Sequence, residues 1–254
     1  NSVVAFRNGV QQDMIHPNQY PDFYQRLANF CDFLGINGFC VELTLFTETQ
    51  ILMPDLSDQQ RHLDNVVNAV HARKNVILEL VNENDQHQNA VSENLVRPSG
   101  VIISHGSNGS DATGVRPTWD YELYHTNGLN EWWRKTGHNA MEKADESHSP
   151  CWSNENTRYP DNESSPIHAF DAMAGAALLC AGGCFHSQGG KFSRGFDPVE
   201  LECAKEWVAG GRNVPLEFQP GQYIRRDDLL EPGLIRVYER RLSDGRGHIV
   251  KIRA

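Results

Sequence analysis

Two short segments of the chain each run from an apolar, strand-like stretch into an Asn-Glu pair. The first ends in Val81-Asn82-Glu83, and the second ends in Trp152-Ser153-Asn154-Glu155. A strand that carries a carboxylate at its C-terminal end is typical of parallel α/β folds, whose sites are built from the loops at that edge of the sheet. Two such carboxylates suit acid/base or glycosidic chemistry. Glu83 and Glu155 are therefore the first candidates for catalytic residues.

Cleavage of an acetal requires a proton for the leaving oxygen and an anion beside the developing oxocarbenium ion. Two carboxyl groups about 5 to 5.5 Å apart supply both with retention, whereas a separation of about 6.5 to 9.5 Å admits a water and gives inversion. Asn82, next to the first carboxylate, can donate to a sugar hydroxyl in a bond that strengthens in the transition state. One Asn-Glu pair recurs by chance, so the prediction depends on both pairs lying at strand ends.

Composition narrows the class of protein. The 254 residues, 39% of them hydrophobic, suffice for a globular domain with a sizeable core. A formal charge of −10, from 33 acidic and 23 basic residues, argues against nucleic acid or an anionic membrane as a partner and favours a neutral substrate. No apolar run approaches the roughly 18 to 20 residues that cross a bilayer. No signal peptide is recognised, and localisation stays open.

Strand-like and helix-like stretches alternate along the chain, which indicates βα units and a parallel sheet. Helices are predicted over residues 21–34, 61–71, 88–96, 129–143, 169–179 and 198–208. Seven strands are predicted to begin at Val3, Gly38, Asn75, Val101, Tyr121, Ser149 and Cys180. A closed (β/α)₈ barrel needs eight strands, so we expect a barrel that lacks its first β/α unit in this chain.

The pattern changes near the C-terminus, where extended segments flank Ser243-Asp244-Gly245, a hairpin turn signal. The predicted domains are therefore a barrel over residues 1–212 and a β-rich extension over residues 213–254. The six cysteines favour reduced core positions over a disulfide framework or a zinc site.

The strand series resembles the retaining glycoside hydrolases of the cellulase-like (β/α)₈ superfamily. The resemblance rests on the two Asn-Glu segments, three strands apart, and covers the chain to about residue 211. It implies that Glu83 is the acid/base at the end of strand four, that Asn82 binds a substrate hydroxyl, and that Glu155 is the nucleophile at the end of strand seven. It further implies hydrolysis of a β-glycosidic bond in an oligo- or polysaccharide, with retention and without a metal or organic cofactor.

Other candidates for substrate binding lie at the same predicted rim. Tyr124 and His125 end the strand between the two carboxylates, and the resemblance implies an aromatic residue or a histidine there. A Tyr124 hydroxyl that donates to Glu155 would hold that carboxylate ionised. Each of these side chains has the alternative of filling the core or lying on the surface. The same two possibilities apply to three further candidates, namely His105, His186 and Trp152.

The chain departs from the family pattern at several positions. Asn84 replaces the proline that often follows the strand-four Asn-Glu, and Phe185-His186 stands where a tryptophan commonly floors the sugar site. Arg7 is the only nearby candidate for the arginine common on strand two. A missing first β/α unit leaves an exposed sheet edge, which proteins normally cover, so a partner segment that completes the barrel is expected.

Two other functions fit the same residues. The first is a metal-dependent barrel hydrolase, with His105, His125 and His186 and either Glu155 or Glu83 as ligands around an activated water. Against it, the ligands would come singly from different strands rather than from one recognised motif. The second is a non-catalytic carbohydrate-binding or assembly protein, since an incomplete barrel holds two carboxylates less firmly.

Overall fold

A computed structural model describes the chain over residues 4–7, 10–14, 16–47, 49–83, 91–92, 94–106, 119–125, 133, 136, 151–155, 165–178, 182–186, 196–214, 224–241 and 244–253. The chain folds as two compact units, residues 1–122 and residues 123–254. Both units contain helices, and each contains parallel strand pairs. The mixed α/β class predicted from the sequence is therefore confirmed.

The first unit begins with an antiparallel hairpin and not with a strand of a parallel sheet. β1 (Val4–Arg7) pairs antiparallel with β2 (Val10–Met14). The prediction that the stretch from Val3 is the first visible strand of a barrel is therefore wrong. Its extended, apolar character fits either kind of pairing, whereas Asn8-Gly9 between the two strands is a strong hairpin signal that the prediction overlooked.

The rest of the first unit is a parallel sheet of three strands packed against helices. β4 lies in the middle and pairs in parallel with β3 and with β5. The strands predicted from residues 38, 75 and 101 and the first two predicted helices are confirmed with shifted ends. In chain order the elements are α1 (Phe23–Ile36), β3 (Val41–Phe46), α2 (Thr49–Leu52), α3 (Leu56–Val70), β4 (Val76–Val81) and β5 (Ile103–Gly106).

Hydrophobic periodicity explains how α3 packs on the sheet. Leu63, Val66 and Val70 recur every three or four residues, so they lie on one helical face, and all three are buried. They share one apolar cluster with Leu78 and Leu80 of β4. β4 is apolar except at one position, as expected for a central parallel strand that is covered on both faces.

That one polar position belongs to a row of polar residues that crosses the sheet, two of them buried and Thr44 partly buried. Thr44, Glu79 and Ser104 are neighbours in register on β3, β4 and β5, and the Thr44 hydroxyl donates to Glu79 Oε2 at 2.5 Å. Glu79 and Ser104 are each only 1% exposed. A slip of one residue would carry Glu79 to the opposite face and separate it from its hydrogen-bond donor, so this row favours a single register.

The second unit contains another three-stranded sheet and two long helices. β7 lies between β6 and β8, and β7 and β8 run in parallel. Asp197 caps α5 in a capping box with Glu200, which fixes where that helix begins. The elements are β6 (Glu122–His125), whose first residue closes the first unit, β7 (Cys151–Glu155), α4 (Pro166–Leu178), β8 (Gly182–Gly183) and α5 (Pro198–Arg212).

The C-terminal segment forms the β structure expected of it. β10 (Leu234–Arg241) and β11 (Gly247–Arg253) pair antiparallel on either side of the predicted turn, and β9 (Ile224–Arg225) adds a third strand. The predicted hairpin is therefore confirmed. This sheet belongs to the second unit.

The remaining fold predictions concern the closed barrel and the helices over residues 88–96 and 129–143. In the ranges that the structure describes, each sheet has two or three strands, and no closed barrel is formed. The helix predicted over residues 88–96 is wrong where it is described, since residues 91, 92 and 94–96 are not helical. Of the helix predicted over residues 129–143, only Trp133 and Thr136 are described, and both are helical.

Two findings concern membranes and cysteines. No described helix combines the length and the apolar character needed to span a bilayer. Five cysteines fall in the described ranges and all are free thiols, of which Cys31, Cys151 and Cys203 are buried.

A buried histidine makes the first unit sensitive to acid. His62 of α3 is 2% exposed, its Nδ1 lies 2.9 Å from the Tyr24 hydroxyl, and its ring packs edge-on against Phe46. Burial lowers the pKa of His62 to about 4, whereas a hydrogen bond to the Leu45 backbone opposes this shift. The folded protein therefore resists a charge that the unfolded chain accepts near pH 6.5.

We expect the free energy of unfolding to fall by about 3 kcal/mol from this residue as pH decreases from about 6.5 to about 4. Urea unfolding measured across that interval should show a smaller decline in His62→Gln than in the natural chain. His71→Gln, at an exposed position next to the C-terminus of α3, is the matched control and should keep the natural slope. Equal slopes in all three proteins would contradict the assignment.

Candidate active site

The first Asn-Glu pair lies directly after β4, as predicted. The Asn82 amide donates to the Phe46 carbonyl at 3.2 Å, which extends the contact between β3 and β4 by one residue. The next residue, Glu83, turns into the left-handed region with φ of +46°, and it is 8% exposed. Among the described non-glycine residues it alone has a positive φ. A buried carboxyl on strained backbone at a strand end is typical of a functional position.

The neighbouring strand β5 ends in a close approach to β4. Gly106 has φ of +116°, and a Cβ on it would lie 1.9 Å from the Val81 carbonyl oxygen, so only glycine fits. The preceding residue, His105, packs its ring edge-on against Trp119 with centroids 5.5 Å apart. The structure therefore gives His105 an aromatic neighbour within the first unit and leaves it partly exposed.

The second unit brings three candidate side chains together at the ends of three adjacent strands. His125 ends β6, Glu155 ends β7, and His186 follows β8. His125 Nδ1 lies 3.6 Å from Glu155 Oε2, and His186 Nε2 lies 3.8 Å from Glu155 Oε1. Each carboxylate oxygen thus faces a different imidazole. We call these three residues the histidine-carboxylate cluster.

Local packing explains why these strand ends meet. Cys184 donates its amide to the Ser153 carbonyl at 2.9 Å, which continues the parallel pairing of β7 with β8. At Gly183 a Cβ would lie 2.9 Å from the Trp207 ring and 3.3 Å from the Ser153 carbonyl, so a small residue lets β8 approach. His186 therefore follows a strand that is held close to the strand of Glu155.

Two adjacent residues of β6 that the prediction treated together have different neighbours in the structure. His125 is 2% exposed and lies beside Glu155, whereas Tyr124 is 6% exposed and belongs to an apolar cluster with Cys151 and Ala176. The structure thus places a histidine beside Glu155. That the Tyr124 hydroxyl donates to Glu155 stays a prediction.

The cluster has the chemistry to hold an anion in a fixed direction. The His125 side chain is 1% exposed and that of Glu155 is 25% exposed. The carboxylate therefore contacts a buried imidazole on one side and remains accessible to solvent. The imidazoles lie 3.6 and 3.8 Å away, one beside each oxygen, and they limit the directions in which the carboxylate can point. Histidine and glutamate side chains are also common metal ligands.

The structure describes the remaining predicted residues to different extents. Asn82 is half-buried at the end of β4. The backbone of Trp152 lies in β7, but its side chain is outside the described part, so its role in substrate binding stays a prediction. The sequence grouped His186 with Glu155 at one rim, but it did not show which nitrogen of the histidine meets which oxygen. Gly106 was also missed, since its close approach depends on a neighbouring strand.

Comparisons with known proteins returned no relative of this chain. No protein-family model, no curated protein and no solved structure matches it.

Proposed function

We propose that this chain is a retaining glycoside hydrolase that cleaves a β-glycosidic bond in an oligo- or polysaccharide, with Glu83 as acid/base and Glu155 as nucleophile. One observation carries the proposal. Both Asn-Glu pairs lie at the C-terminal ends of strands that belong to parallel pairs, β4 with its two neighbours and β7 with β8. Catalytic residues of parallel α/β enzymes occupy that position.

The surroundings of Glu155 support its role as nucleophile. A nucleophilic carboxylate must be ionised and aimed at the anomeric carbon. His125 and His186 approach its two oxygens from neighbouring strands, and the carboxylate keeps a path to solvent. These are the conditions that an attacking anion requires.

The surroundings of Glu83 support its role as acid. It is almost fully buried at the end of β4, and a general acid acts in a site from which bulk water is excluded. Its left-handed backbone is a strained conformation that a glutamate adopts at a cost of about 1 to 3 kcal/mol. Asn82 precedes it and supplies an amide for a substrate hydroxyl.

The reaction then proceeds in two balanced steps. Glu83 gives its proton to the glycosidic oxygen while Glu155 attacks the anomeric carbon, which breaks the glycosidic bond, releases an alcohol and forms a glycosyl ester. Glu83, now a carboxylate, takes a proton from water as the water oxygen attacks the same carbon and releases Glu155. Two inversions give net retention, which requires the two carboxyl groups to come within about 5 to 5.5 Å of each other.

The proposal extends to the barrel that the sequence predicts. If β4 is strand four and β7 is strand seven of a (β/α)₈ barrel, as in the resembled superfamily, β3 to β8 are strands three to eight. Two strands, rather than one, would then have to come from elsewhere, because β1 pairs with β2 in a hairpin. In the described part of the chain, β3 lies at the edge of its sheet and pairs with β4 on one side. A partner segment would pair with the other side of β3 and so complete the barrel.

We expect Glu83→Gln and Glu155→Gln each to lower turnover on a panel of aryl β-glycosides and β-linked polysaccharides by about a thousandfold or more. Glu202→Gln, an exposed carboxylate on α5, is the matched control and should keep full activity. Near-full activity in either active-site variant, with unchanged circular dichroism, would remove that residue from the mechanism.

Azide distinguishes the two roles. In Glu83→Ala the glycosyl ester still forms from a substrate with a good leaving group, and azide that replaces the water gives a product of retained configuration. In Glu155→Ala azide occupies the place of the missing carboxylate and gives the inverted product. NMR of the glycosyl azide gives its configuration. An inverted product from Glu83→Ala and a retained product from Glu155→Ala would exchange the roles of the two residues.

The two histidines provide a further prediction. Because each lies beside one oxygen of Glu155, we expect His125→Gln and His186→Gln to reduce kcat by about 10- to 100-fold and to affect KM less. Pre-steady-state kinetics should place the loss in formation of the glycosyl ester. His71→Gln is the control, and kcat values equal to that of the control would show that the imidazoles do not act on Glu155.

A metal-dependent hydrolase is the second candidate, favoured by the two histidines that approach Glu155. The imidazoles face different oxygens of the carboxylate, which suits orientation of an anion more than three ligands on one ion. Loss of activity in chelator with recovery on adding Zn²⁺ would favour this candidate. Oligosaccharide binding without turnover, unchanged in Glu83→Gln, would instead favour a carbohydrate-binding protein.

A further inference from the structure

One face of α1 carries large apolar side chains that lie in solvent. The opposite face packs into the core of the first unit, through Cys31 and the partly buried Tyr24, Leu27 and Leu34. Phe30 is 53% exposed, Phe33 61%, Ile36 86% and Phe39, just beyond the helix, 58%. They follow one another every three residues, so the first three form a strip along one side of the helix. We call these four residues the α1 apolar strip.

The polar side chains beside the strip already have local partners. Arg26 donates to Asp22 at 2.6 Å, and Gln25 donates to Asn29 at 2.8 Å. Asn37 donates to the Phe33 carbonyl at 2.7 Å. An apolar surface can therefore cover the strip without leaving these groups unsatisfied, which would otherwise oppose association.

We infer that the α1 apolar strip is a self-association surface, on which the α1 helices of two copies of this chain pack antiparallel about a twofold axis next to Phe33. In that arrangement Phe33 meets the partner's Phe33, and Phe30 meets the partner's Ile36. Asn29 meets the partner's Asn37, so no charged side chain faces another across the strip. A twofold axis requires such a surface to be complementary to itself.

The available area fits a dimer. A large apolar side chain presents about 150 to 250 Å², so four that are more than half exposed leave roughly 450 Å² of apolar surface in water. Two copies together bring roughly 900 Å² to the interface. Homodimer interfaces are about 65% apolar, which corresponds to roughly 1,400 Å² in total and lies within the usual range of about 1,200 to 2,000 Å².

Charge gives the association a recognisable signature. Each chain carries a formal charge of −10, so two copies repel each other, whereas the strip itself is uncharged. Screening reduces that repulsion and weakens no ion pair within the strip. A contact with a basic partner protein would show the opposite dependence on salt.

Sedimentation equilibrium of the full chain tests the inference. We expect a monomer–dimer equilibrium whose dissociation constant falls as salt rises from about 50 to about 500 mM. Phe33→Glu should weaken dimerisation by about a hundredfold or more. Ile167→Glu on α4 is the control, because Ile167 is also a helical residue that is 61% exposed, and it should dimerise like the natural chain.

A covalent test covers the case in which Phe33→Glu fails to fold. With the exposed Cys40 changed to serine, Phe33→Cys should form a disulfide-linked dimer under mild oxidation, since the axis brings the two thiols together. Ile167→Cys in the same background should not. A monomer at all concentrations and salts, or open-ended aggregation, would overturn the inference. Equal dimerisation of Phe33→Glu and Ile167→Glu, or equal crosslinking of Phe33→Cys and Ile167→Cys, would also overturn it.

Discussion

Parallel pairing of neighbouring strands is the constraint on which the candidate site depends. In a parallel pair both C-terminal ends lie at the same edge, so a residue that follows one strand meets the residues that follow its neighbour. Phe46, Val81 and Gly106 are in register at the ends of β3, β4 and β5. In the second unit β7 is parallel to β8 and also neighbours β6, and Glu155 at its end lies between His125 and His186. Every candidate residue is thus positioned by pairing rather than by a long loop.

The register of that pairing is specified from within the first sheet. Apolar contacts alone tolerate a shift along a strand, because one β-branched residue packs much like another. The buried Glu79 carboxyl does not, since its Thr44 donor lies at one position on β3. A buried polar group without its partner costs about 1 to 3 kcal/mol. The row of Thr44, Glu79 and Ser104 therefore aligns the strand end that carries Glu83.

Much of this architecture could be predicted because the signals are local. Helical periodicity located α1, α3 and α5, and short β-rich runs located β3, β4 and β7. The Asn-Glu pairs were found at strand ends because each strand and its carboxylate are adjacent in sequence. What could not be predicted depends on the neighbouring strand. β1 pairs antiparallel with β2, although its residues suit a parallel strand equally well.

The same limit applies to the site. Tyr124 and His125 are adjacent in sequence, but the position of His125 beside Glu155 and the packing of Tyr124 on Cys151 and Ala176 depend on elements that are distant in sequence. The backbone turn at Glu83 likewise has no sequence signal, because glycine or asparagine is the usual residue at positive φ. That a buried glutamate occupies such a position is itself the indication of function.

The separation between the carboxyl groups of Glu83 and Glu155, measured in a crystal structure of the full chain, tests the central claim most directly. Two groups that act together with retention must stand about 5 to 5.5 Å apart in an open cleft, and that is the predicted result. A separation of about 6.5 to 9.5 Å would contradict retention, and a larger one, or a Glu83 that faces away from the cleft, would contradict glycoside hydrolysis by this pair.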